Sequence, residues 1–262
     1  MKVAICLGTL GTGSLKKDIQ RCLAIGVQGL QLRVVDTELD PKELTGSGRE
    51  EFADYIESFG FEVPSLWGAL GGFADPASMD ERMNRTRAML DLCVELRCPL
   101  LCVEPGAAPE NGTQAYSEFT GALRDLANYA LERDVRLAVT TGRDSAERLA
   151  QVLADVKSEG ARVNYDPAAL VARGHDPLSG FGGLSRAIAH VQARDAVRGS
   201  ILEPGEEVSL TKGDSGIEAL LQMLNDVGYT AFLSVATERD ADLAAIAVES
   251  VTWLKKQDGV DP

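Results

Sequence analysis

The 262-residue chain carries 40 acidic and 26 basic side chains, a formal net charge of −14, and only 5% aromatic residues. That sign of charge repels phosphate backbones and anionic lipid surfaces, so neither nucleic acid nor a membrane is expected as a partner. No apolar run approaches the roughly 18 residues that span a bilayer, and MKVAICLGTLG breaks at Gly8, too early for a secretory signal, so a cytoplasmic location is expected.

Short apolar runs alternate with longer amphipathic ones along the whole chain. VAICL (3–7), VQGLQLR (27–33), FEVPSLW (61–67) and PLLCVE (99–104) read as strands. So do VRLAVT (135–140), RVNYD (162–166), IAHVQAR (188–194) and AFLSVA (231–236). Their Val, Leu and Ile content suits a parallel sheet covered on both faces. The segments between them have helical period. Asp40-Pro41 is read as a helix start, and Ser78-x-x-Glu81 as a capping box. Tyr116, Phe119, Leu123, Leu126 and Ala130 form one apolar stripe. Ile217, Leu220, Leu224 and Val227 form a second, and Leu243, Ile246, Ser250 and Leu254 a third. The Gly- and Pro-rich stretch 168–184 promises only short helical turns. Eight βα units over this length predict one domain, residues 1–262, folded as an α/β (β/α)8 TIM barrel. The five cysteines are odd in number and match no usual zinc spacing, so buried reduced thiols are expected.

In such a barrel the chemistry belongs at the C-terminal ends of the strands. In strand order these ends offer Thr9, Arg33, Trp67, Glu104, then Thr140, Thr141 and Arg143, then Asp166, then Gln192, Arg194 and Asp195, then Thr237 and Glu238. Asp166, Glu104 and Glu238 are the candidate catalytic carboxylates. Their ordinary alternatives are a helix cap for Asp166, a rim salt bridge for Glu104 and a solvated loop for Glu238. Glu238 lies two residues beyond Ala236, on the same face and about 6–7 Å further along. Arg33, Arg143 and Arg194 are candidates for a substrate carboxylate or phosphate, or for nearby acids. Trp67 is a candidate for stacking on a sugar ring, or for packing at the barrel top. His175 is a candidate for the rim of the site. His190, two residues before Gln192, shares its face one layer deeper and reads as a hydrogen-bonded core histidine.

Four segments, in this order and spacing, resemble the xylose isomerase-like barrels, the superfamily of sugar phosphate isomerases and epimerases. They are RAMLDLCVELRCPLLCVEPG, VNYDPAAL followed by GHDPL, IAHVQARDA, and GDSGIEALLQMLNDVGYTAFLSV. The resemblance covers nearly the whole chain. It implies one divalent metal, held by a glutamate ending strand five, an aspartate ending strand six, a histidine in strand seven and a glutamate ending strand eight. The metal polarises a sugar carbonyl while the glutamates move a proton at the adjacent carbon. Carried over position by position, Asp166 matches the aspartate. Thr140, Gln192 and Ala236 replace the other three ligands, Ala169 replaces a further histidine, and Arg194 stands for a lysine. One carboxylate with two neutral oxygens holds Mn²⁺ or Mg²⁺ weakly. No metal ligand and no cofactor is therefore expected, with a divalent ion (Mn, Mg, Co or Zn) returning only if the site is rebuilt around Asp166.

Three functional readings follow. The chain is a sugar or polyol isomerase or epimerase relative, a non-catalytic sugar-binding relative, or an enzyme with a rebuilt carboxylate site of Glu104, Asp166 and Glu238. Thr140, Gln192 and the other strand-end groups would contact the small sugar or polyol. A homo-oligomer is possible, although no interface is legible.

Overall fold

The computed structural model describes residues 1–8, 10, 14–237 and 243–262. Eight parallel strands close into a barrel. They are β1 (Lys2–Cys6), β2 (Gly29–Arg33), β3 (Leu66–Trp67), β4 (Leu100–Val103), β5 (Arg136–Thr140), β6 (Ala161–Tyr165), β7 (Ile188–Ala193) and β10 (Phe232–Val235). Each neighbour in sequence is a neighbour in space, and β10 closes the ring on β1, with Val3 opposite Leu233. Two further strands, β8 (Asp195–Ala196) and β9 (Glu207–Val208), form a small antiparallel hairpin after β7.

The helices that cover the outside are α1 (Leu15–Ile25), α2 (Gly46–Ser58), α3 (Pro76–Glu95), α4 (Gln114–Leu131), α5 (Ala146–Val156), α6 (Pro167–Ala172), α7 (Phe181–Leu184), α8 (Ile217–Asp226) and α9 (Leu243–Leu254). The stretch 168–184 does carry only short helices. Among the described residues, no helix is long and apolar enough to cross a membrane.

Strand parity divides the core in two. Val3, Ile5, Leu30, Leu32, Leu101, Val103, Leu137, Val139, Val163, Val191, Leu233 and Val235 face the helices in one continuous apolar cluster. The alternate residues face the barrel axis, and there Gln31, Ser65, Thr140, Asn164, His190, Gln192 and Ser234 are all buried. Half of this interior is thus polar and hydrogen-bonded, beside apolar patches of Leu100, Cys102 and Ala138 and of Cys6, Trp67 and Ala236, whereas branched apolar layers are usual in such barrels.

Three local readings are corrected. No helix starts at Asp40-Pro41. The Asp40 carboxylate instead closes a single turn by accepting from Lys42 N at 3.1 Å, and α2 starts at Gly46. The Ser78 capping box is not used either. Asp75 caps α3 by accepting from Ala77 N, Pro76 takes the first helical position, and Ser78 Oγ donates back to Asp75 at 2.7 Å. The third strand is two residues long, because Pro64 has no N–H for the ladder and only an isolated Gly29–Glu62 bridge precedes it.

One buried side chain gathers the base of the hairpin after β7, beside backbone bonds from Gly199 and Gly205 to α6. The Asp195 carboxylate is buried and accepts from Ala196 N at 2.9 Å, Gly213 N at 2.9 Å and Ser215 N at 3.0 Å. Substituting Asp195→Ala leaves three amide donors without a partner. The expected result is that proteolysis within residues 197–206 accelerates at least about tenfold, while far-UV helicity stays near that of the parent chain. Unchanged cleavage would show that the hairpin is held by other contacts.

Candidate functional site

The C-terminal ends of β4, β5, β6 and β7 surround a cavity of about 420 Å³. Glu104 and Pro105 enter it after β4, and Thr140, Thr141, Gly142 and Arg143 from β5. Asp166, Ala168, Ala169, Ala172 and Arg173 line it from α6 and its ends. Arg194 and Ala196 follow β7, and the hairpin contributes Pro204, Gly205 and Glu207. A second cleft of about 250 Å³ adjoins it through Glu104 and is lined by Arg33, Val35, Asp36, Trp67 and Ala69.

Asp166 holds several positions at once. Its backbone N–H donates to Thr141 Oγ1 at 2.8 Å. Its Oδ1 accepts from Ala169 N at 3.0 Å, which makes it the cap of α6. Its Oδ2 accepts from Arg194 Nη1 at 3.2 Å, and Arg194 Nη2 donates to Glu207 Oε2 at 2.6 Å. The guanidinium therefore joins a barrel carboxylate to a hairpin carboxylate. It also lies 6.0 Å from the Trp67 ring centroid, and Arg33 lies 4.6 Å from it. With 5% of its surface exposed, Trp67 offers a ligand little open ring face.

Beneath the cavity floor runs a directed chain of hydrogen bonds. Asn164 Nδ2 donates to Thr140 Oγ1 at 3.1 Å, so its Oδ1 is turned to His190 Nδ1 at 2.8 Å. That carbonyl requires the proton on Nδ1, which leaves Nε2 to accept from Ser234 Oγ at 2.8 Å. Burial pushes the His190 pKa down to about 3, so the ring is neutral. Thr140 accepts from below, and its hydroxyl proton is then available to a cavity ligand. Gln192 Nε2 donates to Gln31 Oε1 at 3.0 Å, while the buried Gln192 Oε1 has no partner among the described residues.

The structure thus brings Glu104, Thr140, Arg143, Asp166 and Arg194 to one cavity, with Arg33 and Trp67 in the adjoining cleft and Gln192 below. His175 is not brought there; it is half-buried and close enough to Glu147 to lower that carboxyl's pKa slightly, after the stronger effect of the Ser179 hydrogen bond. Thr9 and Glu238 lie outside the described residues. Sequence reasoning missed Arg173 and Glu207. Arg173 lies just past the last turn of α6, and Glu207 follows β7 in a hairpin too short for alternation to show.

The described residues of the cavity do not fit a divalent cation. Of the four positions that the resemblance assigns to ligands, Asp166 alone is a carboxylate, and a guanidinium already lies against it. Ala236 packs with Cys6 and Trp67 inside the barrel. Among the described residues, no three of His, Cys, Asp and Glu come together as a metal-binding group.

Comparison with solved structures finds the same fold repeatedly. A xylose isomerase domain protein from Planctomyces limnophilus superposes with a TM-score of 0.83 at 21% identity, over 96% of this chain and 93% of that one. The IolI protein with a bound zinc atom gives 0.79 at 19% identity, over 97% and 96%. D-psicose 3-epimerase in the presence of D-fructose gives 0.75 at 12% identity, over 99% and 100%. No curated protein matches the sequence. A family model described as xylose isomerase-like TIM barrel matches residues 19–257, and the chain belongs to that family.

Proposed function

We propose that the chain binds a small sugar or polyol in the cavity at the barrel mouth, and that the Arg194 guanidinium takes the place of the family's divalent cation. The observation that carries this reading is the Arg194 bridge between Asp166 and Glu207. A fixed cation beside Asp166 repels a second one, and Thr140, Gln192 and Ala236 supply no negative charge to offset that repulsion. The kinship with sugar epimerases supports the ligand class. The cavity supports it too, because Thr140 presents a hydroxyl and Arg194 and Glu104 present charged hydrogen-bonding groups to a polyhydroxylated molecule. Neither Thr140 nor Ala236 can move a proton as the family's glutamates do. Binding is accordingly the activity that the described residues support best.

The test combines metal analysis with calorimetry. Protein purified without chelator should contain far less than one equivalent of Mn, Mg, Co or Zn. Its binding of ketoses and polyols should be unchanged by EDTA. A stoichiometric metal whose removal abolishes binding would overturn the proposal.

A further inference from the structure

We propose that Arg143 and Arg173 form an oxyanion subsite on one side of this cavity, so that the ligand is a polyol bearing a carboxylate or phosphate and not a neutral sugar. The inference rests on the reading of the cavity as a sugar or polyol site, and its test separates the two.

Charges inside the cavity are unevenly paired. Three arginines line it, in a chain whose acids outnumber its bases by 40 to 26. Arg194 is committed to Asp166 and Glu207. Among the described residues, neither Arg143 nor Arg173 has a carboxylate within 4.0 Å or a side-chain hydrogen bond. Arginines elsewhere find acids readily, as Arg49 does with Glu95, Arg97 with Asp54 and Glu57, and Arg133 with Asp91. Among the described lining residues, setting Arg194 against Asp166 and Glu207 as a group leaves two guanidiniums and the carboxylate of Glu104. The described part of that wall is positive in a chain of net charge −14.

The two guanidiniums are also crowded. Arg173 is half-buried, and its pKa is lowered first by burial and next by the Arg143 charge, with Glu104 and Asp166 opposing. Two like charges are thus held close enough to repel in a partly dry cavity. An anion bound between them relieves both costs, and guanidinium forks match carboxylate and phosphate oxygens.

The backbone between them is closely packed. Gly142 adopts φ +136°, and a side chain there would meet Ala169 Cβ at 2.6 Å. The β5 end therefore lies directly against α6, which brings the segments carrying Arg143 and Arg173 together. The Thr140 hydroxyl at the floor is left for the neutral, hydroxylated part of the same ligand.

The experiment is calorimetry at low ionic strength with glucitol, gluconate, a hexitol phosphate and inorganic phosphate. The proteins are the parent chain, Arg143→Met, Arg173→Met and the double variant, each checked for an unchanged melting temperature. Gluconate or the hexitol phosphate should bind at least about tenfold more tightly than glucitol, and the better of the two identifies the anion. The double variant should lose that advantage while keeping glucitol affinity within about twofold. Equal affinities for neutral and anionic polyols, unaffected by the variants, would overturn the subsite and leave the sugar reading standing. Arginine-dependent binding of inorganic phosphate without any polyol binding would support the subsite and overturn the sugar reading. If none of the four probes binds, both fall.

Discussion

Arg194→Met should cost the fold about 3–5 kcal/mol, because it takes a cationic partner from a carboxylate that has almost no access to water. The Asp166 side chain is 2% exposed, and Arg194 and Glu207 are 13% and 14% exposed, so water cannot replace the lost guanidinium. In a chain of this length, each kcal/mol shifts the melting temperature by about 2–4 °C, and a large fall should be plain in a thermal melt. Arg194→Lys should recover only part of the loss, since one ammonium cannot span both carboxylates as the planar fork does. The informative control is Arg194→Met combined with Asp166→Asn. Asparagine still caps α6 but carries no charge, so the double variant should be more stable than the single one. A double variant no better than Arg194→Met would show that the pairing with Asp166 contributes little.

The second large effect is on acid stability, through His190. Its folded pKa of about 3 lies below the ordinary 6.5, so the native state refuses a proton that the unfolded chain accepts. Above pH 6.5 neither state is protonated and the residue adds no pH dependence. As pH falls from 6.5 towards 3, stability is lost at about 1.4 kcal/mol per unit from this group, and the loss levels off below the folded pKa. The other titrating groups are shared by a His190→Gln variant, so the comparison isolates the ring. At pH 7 the variant should be less stable than the parent by about 1–3 kcal/mol, for its bonds to Asn164 and Ser234. At pH 5 that gap should narrow by about 2 kcal/mol. Urea unfolding at the two pH values measures this, and an identical gap at both would mean that the ring takes up its proton in the native state as readily as in the unfolded chain.

The barrel was legible because each strand writes its two faces in alternate letters. In GLQLR the leucines face the helices, while Gln31 faces the axis; in IAHVQA, Val191 does the former and His190 and Gln192 the latter. Strand-end positions follow from that parity, which is why Glu104, Thr140, Asp166 and Arg194 could be assigned to one end of the barrel. What they do there was less legible. Asp166 is helix cap and ion-pair partner together, and the second role depends on how far a long arginine side chain reaches. Glu207 arrives from a two-residue strand that alternation cannot reveal, and Arg173 from a helix of six residues in a stretch rich in breakers. Helix starts failed where a second capping residue competed, as Asp75 does with Ser78.

The polar axis of the barrel also governs how the chain finds its own alignment. A barrel lined with leucine and valine tolerates a strand displaced by two residues, because parity is kept and one greasy side chain replaces another. Here such a displacement would separate His190 from Asn164 and Ser234, and Gln192 from Gln31, leaving several dry polar groups unsatisfied at once. Misaligned barrels are therefore disfavoured as a class, and the interior works as a combination lock that opens on one setting of the strands.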